Sequence, residues 1–293
     1  MEVGVNLPSD VPGIDASLLL DWARRADAGP FSSVGVTERL AWSTFDPFVT
    51  LAAASAVTRR VRLMTIIAIA PLRSGALLAK AAASLDALCG GRLVLGLGSG
   101  PRPNDYEVAA AEWSGRGKRF ATILAELRSF WEEGSSLGPR PATPRGPEIL
   151  VGGLSDRAFA RMARYADGYV HGGGPPRAFA RAAEKAHAAW IDAGRPGRPT
   201  LRAQAYFALG GDGVVEAGRG HLRSYYAFLG PFAEKIAEGL LATPQALIQH
   251  VRGYAEAGCD ELLLAPAVAD LEQLDRLADV VGSLGKARAE LTS

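Results

Sequence analysis

Short apolar runs alternate along the chain with longer stretches in which apolar residues recur every three or four positions. Val3 to Leu7 reads as a strand. Behind it, Asp15 can cap a helix that puts Leu18, Leu19, Trp22 and Ala26 on one face. Ser33 to Thr37 is a second strand, and Asp46-Pro47 supplies cap and first residue of a helix turning Phe48, Leu51 and Ala52 inward. Strand Val61 to Ala68 follows, with a helix striped by Leu77, Leu78, Ala81, Leu85 and Leu88. Strand Arg92 to Gly98 leads through a proline-bearing loop to a helix carrying Ile123, Leu124, Leu127, Phe130 and Trp131. The Gly- and Pro-rich stretch Gly134 to Pro147 is a surface connection rather than a domain boundary.

The second half keeps the alternation. Strand Glu148 to Val151 precedes a helix from Ser155, strand Gly168 to His171 a helix through Trp190, and strand Leu201 to Leu209 a longer excursion. That excursion, Gly210 to Leu241, holds Tyr225 and Tyr226 and has the length of a lid. Thr243-Pro244 then opens a helix with Leu247, Ile248, Val251 and Tyr254 on one side, ended by Gly258. Glu261 to Ala265 is the last strand, and Leu271, Leu274, Leu277, Ala278 and Val281 mark a closing helix. About eight β–α units with no break in composition predict one α/β domain over residues 1–293. It is a closed (β/α)8 TIM barrel with an insertion after strand seven.

Composition narrows the partners. At 48% hydrophobic residues the chain can bury a large core, which excludes disorder, and a net charge of +1 with interleaved signs leaves no footprint for nucleic acid or an anionic membrane. No apolar run approaches the ~20 residues of a membrane span, and Met1-Glu2-Val3 opens into a strand rather than a signal peptide. The expectation is a cytoplasmic protein with a small-molecule substrate. Cys89 and Cys259 lack metal-ligand spacing and read as reduced, structural thiols; no metal site is expected.

In such barrels the chemistry sits where strands end and βα loops begin. Strand two ends in Thr37-Glu38-Arg39. Glu38 and Arg39 read either as groups that orient a polar substrate or cofactor, with Glu38 a base if burial raises its pKa, or as a surface ion pair. Thr65-Ile66-Ile67-Ala68 offers an apolar surface that backs a flat ring or simply packs, and Arg73 is an anion ligand or an exposed helix-start residue. Gly96, Gly98 and Gly100 suggest G-x-G-x-G, but Pro101 occupies the next fingerprint position. Pro101 and Pro103 also argue against a helix starting at once to hold a pyrophosphate. Gly152-Gly153-Leu154-Ser155 is the better anion site, with backbone approach, a hydroxyl, the positive end of a helix and Arg157 nearby. The bland alternative is a tight turn in which Ser155 caps its helix. His171, before Gly172-Gly173-Gly174, is a base or a polar rim residue, whereas His187, His221 and His250 fall on helices as surface or packing residues.

Together these segments resemble the bacterial luciferase-like monooxygenase family. The carriers include Val36-Thr37-Glu38-Arg39-Leu40, Ala56 to Leu63, Pro71-Leu72-Arg73, Leu78-Ala79-Lys80 and Leu85 to Leu93. Further along are Gly96 to Gly100, Arg116-Gly117, Ile149 to Ser155, Ala166-Asp167-Gly168, Thr243-Pro244 and Ala257-Gly258. The resemblance implies a (β/α)8 barrel using FMN or the deazaflavin coenzyme F-420, with a flat ring against Thr65, Ile66 and Ile67 and a non-prolyl cis peptide there. It implies phosphate contacts at Gly98-Ser99-Gly100 and Gly152-Gly153-Leu154-Ser155, a ring covered by Tyr225 and Tyr226, and a homodimer. Luciferase-type enzymes often carry a histidine where this chain has Arg39 or Leu40, and His-Pro where it has Ser74-Gly75. Arg39 and Arg73 look instead like the deazaflavin-using subgroup. The expected activity is hydride transfer between F-420 and a small organic substrate. The alternatives are an FMNH2-dependent monooxygenase fed by a flavin reductase, a non-catalytic flavin-binding barrel, and an ordinary phosphate-binding barrel enzyme. Substrate choice is expected to lie in the loops around residues 100–118 and 210–242.

Overall fold

The computed structural model describes residues 1–290, with side chains through residue 284. Its eight strands are β1 (Glu2–Asn6), β2 (Ser33–Val36), β3 (Arg62–Ile69), β4 (Leu93–Gly98), β5 (Glu148–Gly152), β6 (Gly168–His171), β7 (Thr200–Phe207) and β8 (Glu261–Pro266). All pair in parallel with their sequence neighbours. β8 also pairs β1, through Glu2 with Glu261 and Val5 with Leu264, so the sheet closes on itself. Helices between the strands make each crossover: α1 (Ala16–Ala28), α2 (Pro47–Val57), α3 (Gly75–Leu88), α4 (Pro103–Val108), α5 (Arg116–Leu127) and α6 (Asp156–Tyr165). They continue as α7 (Pro176–Asp192), α8 (Asp212–Tyr225), α9 (Phe232–Glu238), α10 (Pro244–Glu256) and α11 (Leu271–Glu290). Asp15 and Asp46 cap α1 and α2 as their positions predict; the Asp46 carboxylate accepts the N–H groups of Phe48 and Val49.

Alternation along each strand divides the buried residues into layers. Val34, Leu63, Leu95, Ile149 and Leu262 point outward and meet the helices in one continuous core. Met64, Ile66, Val94, Leu150, Val170 and Leu263 fill the barrel interior. A third cluster joins Tyr206, Ala208 and Ala265 to Leu222, Ala237 and Leu240, binding the excursion after β7 to the barrel mouth.

At the base of the barrel, β8 begins with the fully buried Glu261. The Arg202 Nε lies 2.9 Å from its carboxylate and the Arg62 Nη2 lies 3.0 Å away, while the hydroxyls of Ser32 and Ser33 donate to it. Burial alone would raise the Glu261 carboxyl, but Arg202, Arg62 and the two serines hold it below its ordinary value. The Arg202 N–H is not aimed along a hydrogen bond, so that contact is a close ion pair only.

Four expectations need correction. The apolar stripe of α3 is shifted: Leu77 and Leu88 are 67% and 71% exposed, and Leu78, Ala79, Ala82, Ala83 and Leu85 face the barrel. Small alanines let the helix lie close, a face that leucine spacing alone misplaces. Phe130 and Trp131 belong to a separate turn of 3-10 helix after α5. β7 ends at Phe207, and the excursion behind it is folded into α8 and α9 rather than left as a loop. The proline-bearing loop after β4 is not all loop: no helix starts at once, but after residues 99–102 it holds the short helix α4. Pro103 is the first residue of α4, a position where its missing N–H costs nothing.

Candidate functional site

A cavity of about 1440 Å3 lies over the carboxyl ends of β3 to β7. Its bed is apolar, formed by Ile66, Ile67 and Val170. Glycine backbone flanks this bed. A Cβ on Gly98 would stand 2.8 Å from the Ile67 Cδ1, and one on Gly152 3.3 Å from its Cγ2, so glycine lets both strand ends approach Ile67. The Ile66–Ile67 peptide is cis, and the pairing of β3 with β4 shifts register between Thr65 and Ala68. Thr65 is fully buried with its hydroxyl donating to the Gly96 carbonyl at 2.7 Å, and is not part of the cavity wall.

The rim is polar and positive. Ser99, Gly100 and Pro101 form one edge; Gly152, Gly153, Leu154 and Ser155 form the edge opposite. Ser155 caps α6, its oxygen accepting the Ala158 N–H at 3.3 Å, which leaves its own proton free to donate. The cap and an anion ligand are therefore compatible roles. α5 begins at Gly115 with no side-chain cap, and its first turn, Arg116-Gly117-Lys118, also lines the cavity. Uncapped N–H groups and the positive end of the helix dipole point to the same use. Arg157 and Arg161 of α6 complete the basic end, against Asp156 as the acid there. Burial, and then repulsion from Arg157, lowers the Arg161 pKa.

Gln204 closes the inner wall. His171 lies at the end of β6, but its imidazole turns away from the barrel interior towards α7, with its ring centre 5.8 Å from that of Phe179. Its Nδ1 lies 3.2 Å from the Tyr169 hydroxyl, and its buried Nε2 has no partner. Burial pushes the imidazole below its ordinary value, which favours the neutral form. The Gln204 Oε1 accepts from Asn6 and its amide donates to the Gly172 carbonyl.

The other expected site residues lie apart from this cavity. Glu38 is buried and held by both arms of Arg73, with the Ile69 N–H as a third donor, and Arg73 also reaches Asp46 at 2.9 Å. Burial raises the Glu38 carboxyl, while Arg73 and the Ile69 N–H oppose the shift. Every oxygen of Glu38 is thus engaged as an acceptor. Arg39 is also buried, donating to the Tyr225 carbonyl at 2.9 Å with its Cζ 4.1 Å from the Trp42 ring centre. Tyr225 and Tyr226, at the end of α8, sit against β7, where the Tyr226 and Tyr206 hydroxyls are 2.8 Å apart. Burial raises both Tyr225 and Tyr226. Lys118, Arg161, Gln204 and Arg102 are additional groups at or beside the cavity. Arg116, Lys118 and Arg157 did leave a signal: basic residues in a first helical turn oppose the dipole, and an anion nearby removes that cost.

Residues 1–258 match the family described as luciferase-like monooxygenase. An uncharacterized protein of Mycobacterium tuberculosis is 38% identical over 159 residues, 50% of this chain and 55% of that protein; the chain spans about half the length of such curated relatives. Among solved structures, an F420-dependent secondary alcohol dehydrogenase with an F420-acetone adduct superposes with a TM-score of 0.79 at 18% identity, covering 95% of this chain and 97% of that one. Monooxygenase RslO1 from Streptomyces bottropensis gives 0.77 at 21%, covering 96% and 97%. The oxygenating constituent of 3,6-diketocamphane monooxygenase from Pseudomonas putida, with FMN, gives 0.68 at 18%, covering 90% and 91%. At these identities the structural likeness speaks for the fold. Among the described residues, no helix is long and apolar enough to cross a membrane.

Proposed function

We propose that this chain, which belongs to the luciferase-like monooxygenase family, moves a hydride between coenzyme F-420 and a small organic substrate. The observation that carries the reading is the basic end of the cavity, where Arg116, Lys118, Arg157 and Arg161 face one acid, Asp156. A phosphate monoester such as that of FMN brings about two negative charges. The deazaflavin brings a phosphodiester and further carboxylates on an extended tail, which suits a longer basic track.

When bound, the coenzyme supplies the ring that accepts or gives the hydride. The chain's own residues supply position. Ile66, Ile67 and Val170 would provide an apolar bed for the ring, and the glycines at the ends of β4 and β5 let both strand ends close on Ile67. Ser155 and the first turn of α5 offer donors to phosphate oxygens. His171 packs its imidazole on Phe179 of α7 with its Nε2 sealed from solvent, so it supports the cavity wall from behind rather than moving a proton. Glu38, locked to Arg73, fixes the end of β3 against the loop before α3 rather than moving a proton.

Absorbance-monitored titration with F-420 and with FMN tests the reading. Binding of F-420 at least about tenfold tighter than FMN supports it. Tight FMN binding with no F-420 affinity overturns it in favour of a reduced-flavin monooxygenase supplied by a partner reductase and consuming oxygen.

A further inference from the structure

Beside the cavity wall at Pro101, towards α8, two arginines are packed among aromatic rings without ion-pair partners among the described residues. Arg102, one residue beyond the wall residue Pro101, is 5% exposed, yet it donates no hydrogen bond and forms no ion pair among the described residues; its Nε is buried without a partner. Its guanidinium instead meets three aromatic rings, 4.7 Å from the centre of Tyr225, 5.6 Å from Tyr226 and 4.4 Å from Phe228. Arg39 shares the Tyr225 ring at 5.1 Å, is 7% exposed, and also has a buried Nε without a partner. The charge of Arg102 helps to lower the Arg39 pKa, after burial.

Two carboxylates stand nearby; the charge of Asp105 acts on Arg39, but neither carboxylate forms an ion pair with either arginine among the described residues. The Asp105 Oδ1 accepts the Ala41 N–H at 2.8 Å, and the Asp10 Oδ2 lies 3.9 Å from the His221 Nε2. Burying the Nε of each arginine without a partner is costly, and aromatic faces recover only part of the lost solvation. Arg102 adjoins the cavity wall through Pro101. Gln204 in the cavity wall and Tyr206, two positions on along β7, project to the same side of the strand, and Gln204 is hydrogen-bonded to Asn6 of β1.

We propose that Arg102, supported by Arg39, binds the anionic group of the substrate, and that the substrate is a small organic carboxylate. Calling this occupant a substrate rests on the oxidoreductase reading; the anion site itself does not. Arg102 is the positioning anchor: the carboxylate takes the free guanidinium donors, the aromatic rings flank the adjacent carbon skeleton, and the remainder of the molecule reaches along Gln204 towards Val170.

The test uses the full chain without coenzyme, with benzoate and its neutral counterpart benzamide as probes followed by calorimetry. Benzoate is expected to bind about tenfold or more tighter than benzamide and to weaken several-fold between about 50 and 500 mM KCl. Arg102→Met keeps the apolar stem and is expected to lose about tenfold in benzoate affinity, whereas Arg102→Lys keeps the charge and stays within about threefold of the parent. Equal binding of the two probes, no benzoate binding, or an unchanged affinity in a folded Arg102→Met protein overturns the proposal. If that variant does not fold, the probe comparison and the salt dependence of the parent chain still decide. A parallel F-420 and FMN titration separates the two ideas. Benzoate binding without coenzyme binding sinks the redox reading alone, and coenzyme binding without benzoate discrimination sinks the anion site alone.

Discussion

Arg73 grips Glu38 with both guanidinium arms, Nη1 at 2.9 Å from Oε2 and Nη2 against Oε1, across the interval between the end of β2 and the loop before α3. The grip is lopsided. Glu38 is almost wholly buried, while Arg73 is partly exposed and has Asp46 as a second counter-ion. Arg73→Met therefore strands a buried carboxylate and should cost about 3–5 kcal/mol in urea unfolding; Glu38→Gln leaves Arg73 with Asp46 and should cost less. The acid limb gives a second reading. Because the folded Glu38 pKa is already raised, and rises further without Arg73, protonation relieves the Arg73→Met defect. Its stability deficit should shrink as the pH falls from about 8 towards 5. Equal costs for the two variants would contradict this account.

His171 should be separable from the rest of the cavity. His171→Asn removes a ring packed against Tyr169 and Phe179 and is expected to lower Tm by several degrees while changing kcat on an alcohol or ketone substrate less than about threefold. The comparison is a steady-state rate set beside a thermal melt of the same variant. A fall in kcat of about 10² or more with an unchanged Tm would make His171 a proton carrier instead.

His250, on α10, is a stability sensor packed on Tyr254, with ring centres 4.9 Å apart. Burial pushes its imidazole down to about 4, and its Nε2 is buried without a partner. A depressed histidine pKa means the unfolded chain takes up the proton first, so stability is complete above about pH 6.5 and falls as the pH drops towards 4. The loss should approach about 2 kcal/mol by pH 5, and His250→Leu should remove that part of the slope in paired urea titrations at pH 7 and 5.

Gly96→Ala places a methyl carbon 2.1 Å from the Thr65 carbonyl oxygen, a backbone atom that cannot swing aside. The substitution should cost at least about 1–3 kcal/mol, seen as a lower Tm, with coenzyme binding impaired in whatever folds because Ile66 and Ile67 follow directly. Gly172→Ala is the matched control: nothing lies within 4 Å of its added carbon, and its Tm should stay close to that of the parent.

The sequence carried the barrel because its signals are periodic and local. Asp15, Asp46 and Thr243 cap the helices they precede, and the strand runs end within a few residues of their predicted limits. The candidate site was less legible for a geometric reason. Gly98 and Gly152 announce a strand end, but that both flank Ile67 depends on the barrel's curvature. Glu38 and Arg73 each look like a ligand in the sequence, and only folding reveals that they engage each other. Arg102 sat unnoticed between two prolines, because the aromatic rings that surround it come from a segment more than a hundred residues away.

Glu261 also bears on the order in which the molecule can be made. During synthesis β1 to β7 leave the ribosome before β8, and until β8 arrives Arg62 and Arg202 lack the carboxylate that joins them. The first and seventh strands meanwhile keep open edges. β8 thus delivers the final hydrogen-bonded seam and the counter-charge in one event, so closure is a single late step, and a nascent chain stalled before residue 261 is the form that a chaperone would have to shelter.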